Sequence, residues 1–194
     1  MNSICCTRSA SDHEVKTGVK ILMSRVLQIF RAKPNPAGKD KAGSYPKPEQ
    51  LLGEWVDIKN VGTEAVPFGT MALTHTLFND YCQRTGKIET YFSGSSADTQ
   101  SLAPGQVLRI HTGRKSDEAH MKYEDKKGRD WWNFANSDQF KLNNRCGDAI
   151  VVSWKDAYGR DLQDAAEYER NQPEGAILVR SGSKLVRASA VFGR

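Results

Sequence analysis

The sequence predicts an all-β fold built as a two-layered sandwich, and three observations carry that expectation. Short runs of β-forming residues recur between residues 51 and 168, separated by turn residues at the spacing of a sandwich or barrel. Apolar side chains alternate within the runs, so Val56 and Ile58 share one face, as do Leu108 and Ile110, and as do Ile150, Val152 and Trp154. Tight reversals separate the runs, notably Ala103-Pro104-Gly105 and Asp156-Ala157-Tyr158-Gly159, the second of which joins two strands as a hairpin.

At the N-terminus a different period appears. Across residues 12–33, Val15, Val19, Leu22, Met23, Val26, Ile29 and Phe30 recur in steps of three and four, the spacing of one helical face. Ser11 and Asp12 suit the start, Glu14 the first turn, and Arg31 and Lys33 the negative end of the dipole before Pro34. The expected element is an amphipathic helix, which pairs with a partner or another copy, docks on its own domain, or lies on a membrane surface. Residues 34–50 hold Pro34, Pro36, Gly38, Gly43, Pro46 and Pro48 among lysines and predict an extended linker.

Strands are expected at residues 54–61, 71–77, 88–92, 107–112, 139–142, 149–154 and 162–168. Beyond them, residues 175–179 and 184–187 flank Ser181-Gly182-Ser183 and predict a C-terminal β-hairpin with an edge able to add to a sheet. The organisation is thus a tail with a helix (1–33), a linker (34–50), a β body (51–168) and a C-terminal extension (169–194).

The formal net charge of +5 is unevenly distributed. Residues 1–48 carry 9 Lys and Arg against 3 Asp and Glu, the body from 49 to 169 carries 14 against 19, and residues 170–194 carry 5 against 1. Any polyanion binding therefore maps to the ends, at Lys16, Lys20, Arg25, Arg31, Lys33, Lys39 and Lys41. No apolar run approaches the roughly 20 residues of a membrane span, so no transmembrane segment is expected. Cys5, Cys6, Cys82 and Cys146 are too few and too unevenly spaced for a disulfide framework, so reduced thiols are expected. With no secretory signal pattern at the start, the expected location is cytoplasmic.

The stretch Gly53-Glu54-Trp55-Val56-Asp57-Ile58-Lys59-Asn60, then Leu102-Ala103-Pro104-Gly105-Gln106, then Gly147-Asp148-Ala149-Ile150-Val151-Val152 with the Gly159 turn and Tyr168, resembles the lamin-tail domain in order and spacing. The resemblance covers about residues 51–168 and implies an immunoglobulin-like β-sandwich. It also implies an accessory module and carries no catalytic residue onto this chain. The sequence lacks the long heptad rod of nuclear lamins, and a single helix of about 20 residues does not replace one.

A search for chemistry returns little. His75, Cys82, His111, His120 and Cys146 lack the paired spacings of a zinc site, so neither a metal nor a cofactor is expected. There is no phosphate-cradling glycine loop and no nucleophile elbow, and a cysteine–histidine pair would need proximity that sequence does not give, so an enzyme is not expected. The densest surface signal is the charged segment 114–130, with 6 basic and 5 acidic residues, followed by Trp131, Trp132, Asn133 and Phe134. Alternation puts Trp132 and Phe134 in the core and Trp131 outside.

Two functions fit. One is a non-catalytic binding or assembly module for protein partners, or a subunit of a larger assembly, with Val19, Leu22, Val26, Phe30 and Trp131 as contact residues. The other is a nucleic-acid-associated protein that grips phosphates through its basic tails.

Overall fold

The alternation seen in residues 55–60 is the seed of the architecture: Trp55, Val56 and Ile58 are all buried in a strand that has partners on both edges. The computed structural model describes residues 24–189. In chain order the elements are β1 (Leu27–Lys33), β2 (Lys41–Ala42), β3 (Tyr45–Pro46), α1 (Pro48–Gly53), β4 (Trp55–Asn60), β5 (Val66–Pro67), β6 (Ala72–Phe78) and β7 (Arg84–Ser93). They continue with β8 (Ser101–Leu102), β9 (Val107–His111), β10 (Trp131–Phe134), β11 (Asp148–Lys155), β12 (Asp161–Tyr168), β13 (Leu178–Ser181) and β14 (Lys184–Arg187). Short 3-10 turns lie at Phe68–Thr70, Lys115–His120 and Tyr123–Lys126.

The protein is mostly β, as expected. Ten strands form one mixed sheet in the order β10-β9-β4-β1-β13-β14-β12-β11-β6-β7, with parallel pairs at β9/β10 and β12/β14 and antiparallel pairs elsewhere. The sheet wraps on itself so that β1 packs against β11 and β12, and one core collects Ile29, Val56, Ile58, Leu108, Ile110, Ile150, Val152 and Leu178. The form is between a sandwich and a barrel. The C-terminal hairpin β13/β14 joins the two halves: β13 pairs with β1, and β14 touches β12.

Four expectations are corrected. The helix expected over 12–33 fails in its last third, because Leu27–Lys33 is strand β1; residues 12–23 lie outside the described residues. Leu27, Ile29 and Ala32 are buried, with a register shift between Ile29 and Arg31 letting a period of two coexist with steps of three. Pairing to β4 and β13 on both edges satisfies this backbone and overrides helical spacing.

The linker is not a tether either. Pro34 and Pro36 are buried, Asn35 Nδ2 donates to the Gln172 carbonyl (2.7 Å), and Gln50 Nε2 and Lys122 Nζ both donate to the Ala37 carbonyl (3.1 and 3.0 Å). Helix α1, led by Pro48 in its first turn where a missing N–H costs nothing, closes the segment. The strand expected at 139–142 does not form. Its Lys141 and Leu142 N–H groups donate to the Glu54 carboxylate (2.8 and 3.2 Å) instead of to a neighbouring strand.

Finally, Cys82 and Cys146 are joined by a disulfide, with Cα atoms 5.0 Å apart, against the expectation of reduced thiols. Sequence spacing carries no information on a pair 64 residues apart. The bond ties the β6–β7 turn to the loop before β11, so neither of these two sulfurs is a free thiol nucleophile.

Candidate functional site

The end strands of the wrapped sheet, β7 and β10, come close without pairing among the described residues. Tyr91 on β7 sends its hydroxyl across to Thr112 Oγ1 (2.6 Å), just past β9, which shows how nearly the sheet closes. What remains is a groove. One part, about 360 Å³, is walled by Thr90, Tyr91, Phe92 and Ser93 on one side and by Asn133, Phe134, Ala135 and Asn136 on the other. A second part, about 480 Å³, shares Asp98, Asn133 and Phe134 and adds Gln100, Lys115, Glu118, Asp130, Trp131 and Trp132.

Strand β10 is fixed from one side only. It runs parallel to β9, from Trp131 opposite Leu108 to Phe134 opposite His111, and the Phe134 N–H donates to Asn133 Oδ1 (2.8 Å). Asp130 Oδ2 accepts the Val107 N–H (2.7 Å) at the start of the pairing. The tryptophans sit opposite to the expected way round. Trp131 packs edge-on against Phe68 (centroids 5.7 Å) and donates to Gln106 Oε1 (3.1 Å). Trp132 is 44% exposed, with the Arg129 guanidinium 4.2 Å from its ring and its Nε1 donating to Glu118 Oε1 (2.8 Å). Phe134 is buried as expected, stacked on His111 and clustered with Leu52 and Met121, but Trp132, two residues before it on the same strand, is exposed, so simple alternation does not hold along β10.

The charged loop before β10 is pinned from beneath. Arg109, 2% exposed, holds both oxygens of Asp57 (2.7 and 2.8 Å) and donates from Nη1 to the Asp125 carbonyl (2.9 Å). Asp125 Oδ1 accepts from Lys33 Nζ (2.7 Å) and from Trp55 Nε1 (2.8 Å). Burying these charges is tolerable because each is paired and hydrogen-bonded. His111 is neutral here: burial, reinforced by the nearby cations Arg109, Arg129 and Lys33, pushes its pKa down to about 3 despite its hydrogen bond with the Leu52 carbonyl.

A second polar cluster lies in the interior. His75, 3% exposed, places Nδ1 3.1 Å from Asp148 Oδ2 and Nε2 3.4 Å from Glu89 Oε2. Burial opposes the imidazolium, but Asp148 and Glu89 outweigh it and raise the His75 pKa. Glu54 is wholly buried, and burial raises its pKa to about 7 against the lowering effect of hydrogen bonds from Thr112, Lys141 and Leu142. Among the described residues neither histidine has a free thiol beside it, since Cys82 and Cys146 are oxidised to each other.

The other residues singled out in the sequence are scattered. Val19, Leu22, Lys16 and Lys20 lie outside the described residues. Val26 is half-buried, and its carbonyl accepts the Val61 N–H (2.9 Å); Phe30 is half-buried between Arg31 and Lys59. Arg25 donates to the Asp156 carbonyl (3.2 Å), Arg31 binds Asp57 (2.7 Å) and Lys33 binds Asp125 (2.7 Å), so these three basic groups serve internal partners. Lys39 and Lys41 are exposed. No helix among the described residues is long and apolar enough to cross a membrane, and no group of three or more metal-binding side chains occurs among them.

The groove residues on β7 and the acid Glu54 were missed at the sequence level. Only the Trp131-Trp132 signal pointed toward the groove, because the meeting of two sheet edges is a property of topology alone. No model of a known protein family matches this chain, and no curated protein matches it either.

Proposed function

We propose that this chain is a non-catalytic binding module of immunoglobulin-like, lamin-tail type, which takes up an extended, net-basic peptide segment of a protein partner by strand addition. The observation that carries this reading is the pair of strand edges, β7 and β10, that have no strand partner among the described residues and line one groove from its two sides. Open edges present N–H and C=O groups that an added strand pairs with, and side-chain pockets along them give selectivity. Asp98, Glu118 and Asp130 outnumber Lys115 in the wider part, which favours lysine or arginine in the peptide. Trp132 supplies an exposed aromatic anchor at its rim. The resemblance to an accessory family without catalytic residues supports the same reading.

The test is selection of short random peptides on the full chain. Binders should be enriched in alternating basic residues, lose about tenfold or more in affinity with Trp132→Ala, and reverse their charge preference with Asp98→Lys. Binders without basic enrichment, or binders indifferent to both substitutions in proteins of unchanged near-ultraviolet circular dichroism, overturn the proposal.

A further inference from the structure

The chain itself carries a segment of the kind that the β7/β10 groove suits. It is Val15-Lys16-Thr17-Gly18-Val19-Lys20-Ile21-Leu22-Met23, which lies outside the described residues. Extended, it would place Val15, Thr17, Val19, Ile21 and Met23 on one face and Lys16, Gly18, Lys20 and Leu22 on the other. Val15, Thr17, Val19 and Ile21 are β-branched and suit a pleated strand, whereas Gly18 costs about 1 kcal/mol inside a helix. With Leu27–Lys33 in strand β1, the helical stripe expected through this segment also loses Ile29 and Phe30.

Groove and segment match in charge and in character. Asp98, Glu118 and Asp130 line the wider part of the groove against Lys115 alone, while residues 15–23 hold Lys16 and Lys20 and no acid. Phe92 and Phe134 give apolar lining suited to the β-branched face. Strand β7 offers an edge of 10 residues against 4 on β10, so β7 is the longer template for pairing.

The whole segment does not reach the groove of its own copy. The Ser24 N–H donates to Thr63 Oγ1 (2.9 Å), and the Ser24 carbonyl accepts the Thr63 and Glu64 N–H groups (2.8 and 3.1 Å). From this anchored point the chain runs into β1, which stands three strands from β10 in the sheet order. At about 4.8 Å between neighbouring strands, the crossing is roughly 14 Å, or about four extended residues. Met23 adjoins Ser24, so those residues would be taken from the alternating stretch itself.

We propose, resting on the strand-addition reading of this groove, that residues 15–23 of one copy enter the β7/β10 groove of a second copy as an added strand, so that the chain assembles with itself. Donor segment and groove are different surfaces, so the contact is head-to-tail and propagates from copy to copy.

The experiment is light scattering on the full chain and on two full-length variants, each checked by near-ultraviolet circular dichroism. The mass of the natural chain rises with concentration. Val19→Pro removes a backbone N–H from the middle of the donated strand, and Asp98→Lys/Glu118→Lys repels its lysines. Each variant raises the dissociation constant about tenfold or more and stays monomeric where the natural chain associates. Mixed one to one, the variants form a dimer and stop there, because one intact groove meets one intact segment. Association unchanged in both variants, or a mixture of natively folded variants that stays monomeric, overturns the proposal. A natural chain that is monomeric at every concentration yet binds selected basic peptides overturns it and leaves the strand-addition reading standing. If the natural chain is monomeric and only Val19→Pro opens the groove to a synthetic peptide of residues 12–24, the segment fills its own groove and the second copy is overturned as occupant. A chain that neither associates nor binds such peptides, with or without Val19→Pro, overturns both.

Discussion

Arg109 lies flat on Trp55, its guanidinium carbon 3.5 Å from the ring centroid, while both of its edges hold Asp57 and the Asp125 carbonyl. The two residues are diagonal neighbours on paired strands: Trp55 on β4 lies opposite His111, and Arg109 on β9 lies opposite Asp57 in the register. Stacking sets the plane of the guanidinium, and that plane aims its donors at one carboxylate and one carbonyl. The pairing fixes the 3-10 turn around Asp125, in the loop that leads into Trp131 and Trp132.

Removing the cation leaves Asp57 buried with only Arg31 beside it, and 3 to 5 kcal/mol is the usual order of cost for such a break. Arg109→Met should therefore lower unfolding free energy by about 3 to 5 kcal/mol in urea titration. Arg109→Lys should recover less than half of the loss, because lysine makes no two-pronged contact. A loss under about 1 kcal/mol for Arg109→Met would show that the pair contributes no net stability.

The disulfide closes a loop of 64 residues between Cys82 and Cys146. Restricting a loop of that length in the unfolded chain is worth about 4 kcal/mol in the chain-entropy account. The double variant Cys82→Ser/Cys146→Ser should be less stable than the oxidised protein by about that amount, and a reductant should destabilise the natural chain but not the variant. Equal urea midpoints with and without reductant would mean the thiols are unpaired in solution.

Three buried groups set opposing pH dependences. Glu54 has its folded pKa raised from 4.5 to about 7, so the folded protein holds the proton more tightly; that stability is present below 4.5 and is lost as pH rises through about 7. His75, raised above 6.5, acts in the same sense: its contribution is present below 6.5 and is lost as pH rises through its folded value. His111, lowered to about 3, acts the other way, and its contribution is present above 6.5 and lost as pH falls toward 3. Between 4.5 and 6.5 the Glu54 and His111 effects oppose each other at about 1.4 kcal/mol per pH unit each. Glu54→Gln removes the first, so the variant's stability minus that of the natural protein should climb with pH across this window. His111→Gln should give a difference that falls across it. Differences independent of pH, from urea unfolding at about pH 5, 6.5 and 8, would rule out both groups as the titrating pair.

Much of the β body was legible because alternation and turn chemistry are local. The stretch 54–61 announces β4, and Asn60 closes it by donating to the Glu64 and Leu102 carbonyls and accepting the Gly62 N–H. Gly62 is required there, since a Cβ would stand 2.3 Å from the Ser24 carbonyl. Residues 27–33 were misread because Val26, Ile29 and Phe30 fit a helical face as well as Leu27 and Ile29 fit a strand, and only the distant partners β4 and β13 decide between them. Glu54 gave no local signal of burial. Its role depends on Thr112, Lys141 and Leu142, which lie 58 to 88 positions away along the chain.

The adjacent tryptophans offer a comparison in which chemistry is constant and placement differs. Trp131 fills space against Phe68 and satisfies its indole N–H on Gln106, so Trp131→Ala opens a void in the core and should cost about 3 to 5 kcal/mol. Trp132 lies over Arg129 at the surface, and Trp132→Ala should change stability by less than about 1 kcal/mol. The same asymmetry should appear in light: Trp132, but not Trp131, should be quenched by iodide in the folded protein. If Trp132→Ala destabilised the protein as much as Trp131→Ala, the rim tryptophan would be a packing residue, and the groove would lose the aromatic anchor that peptide recognition needs.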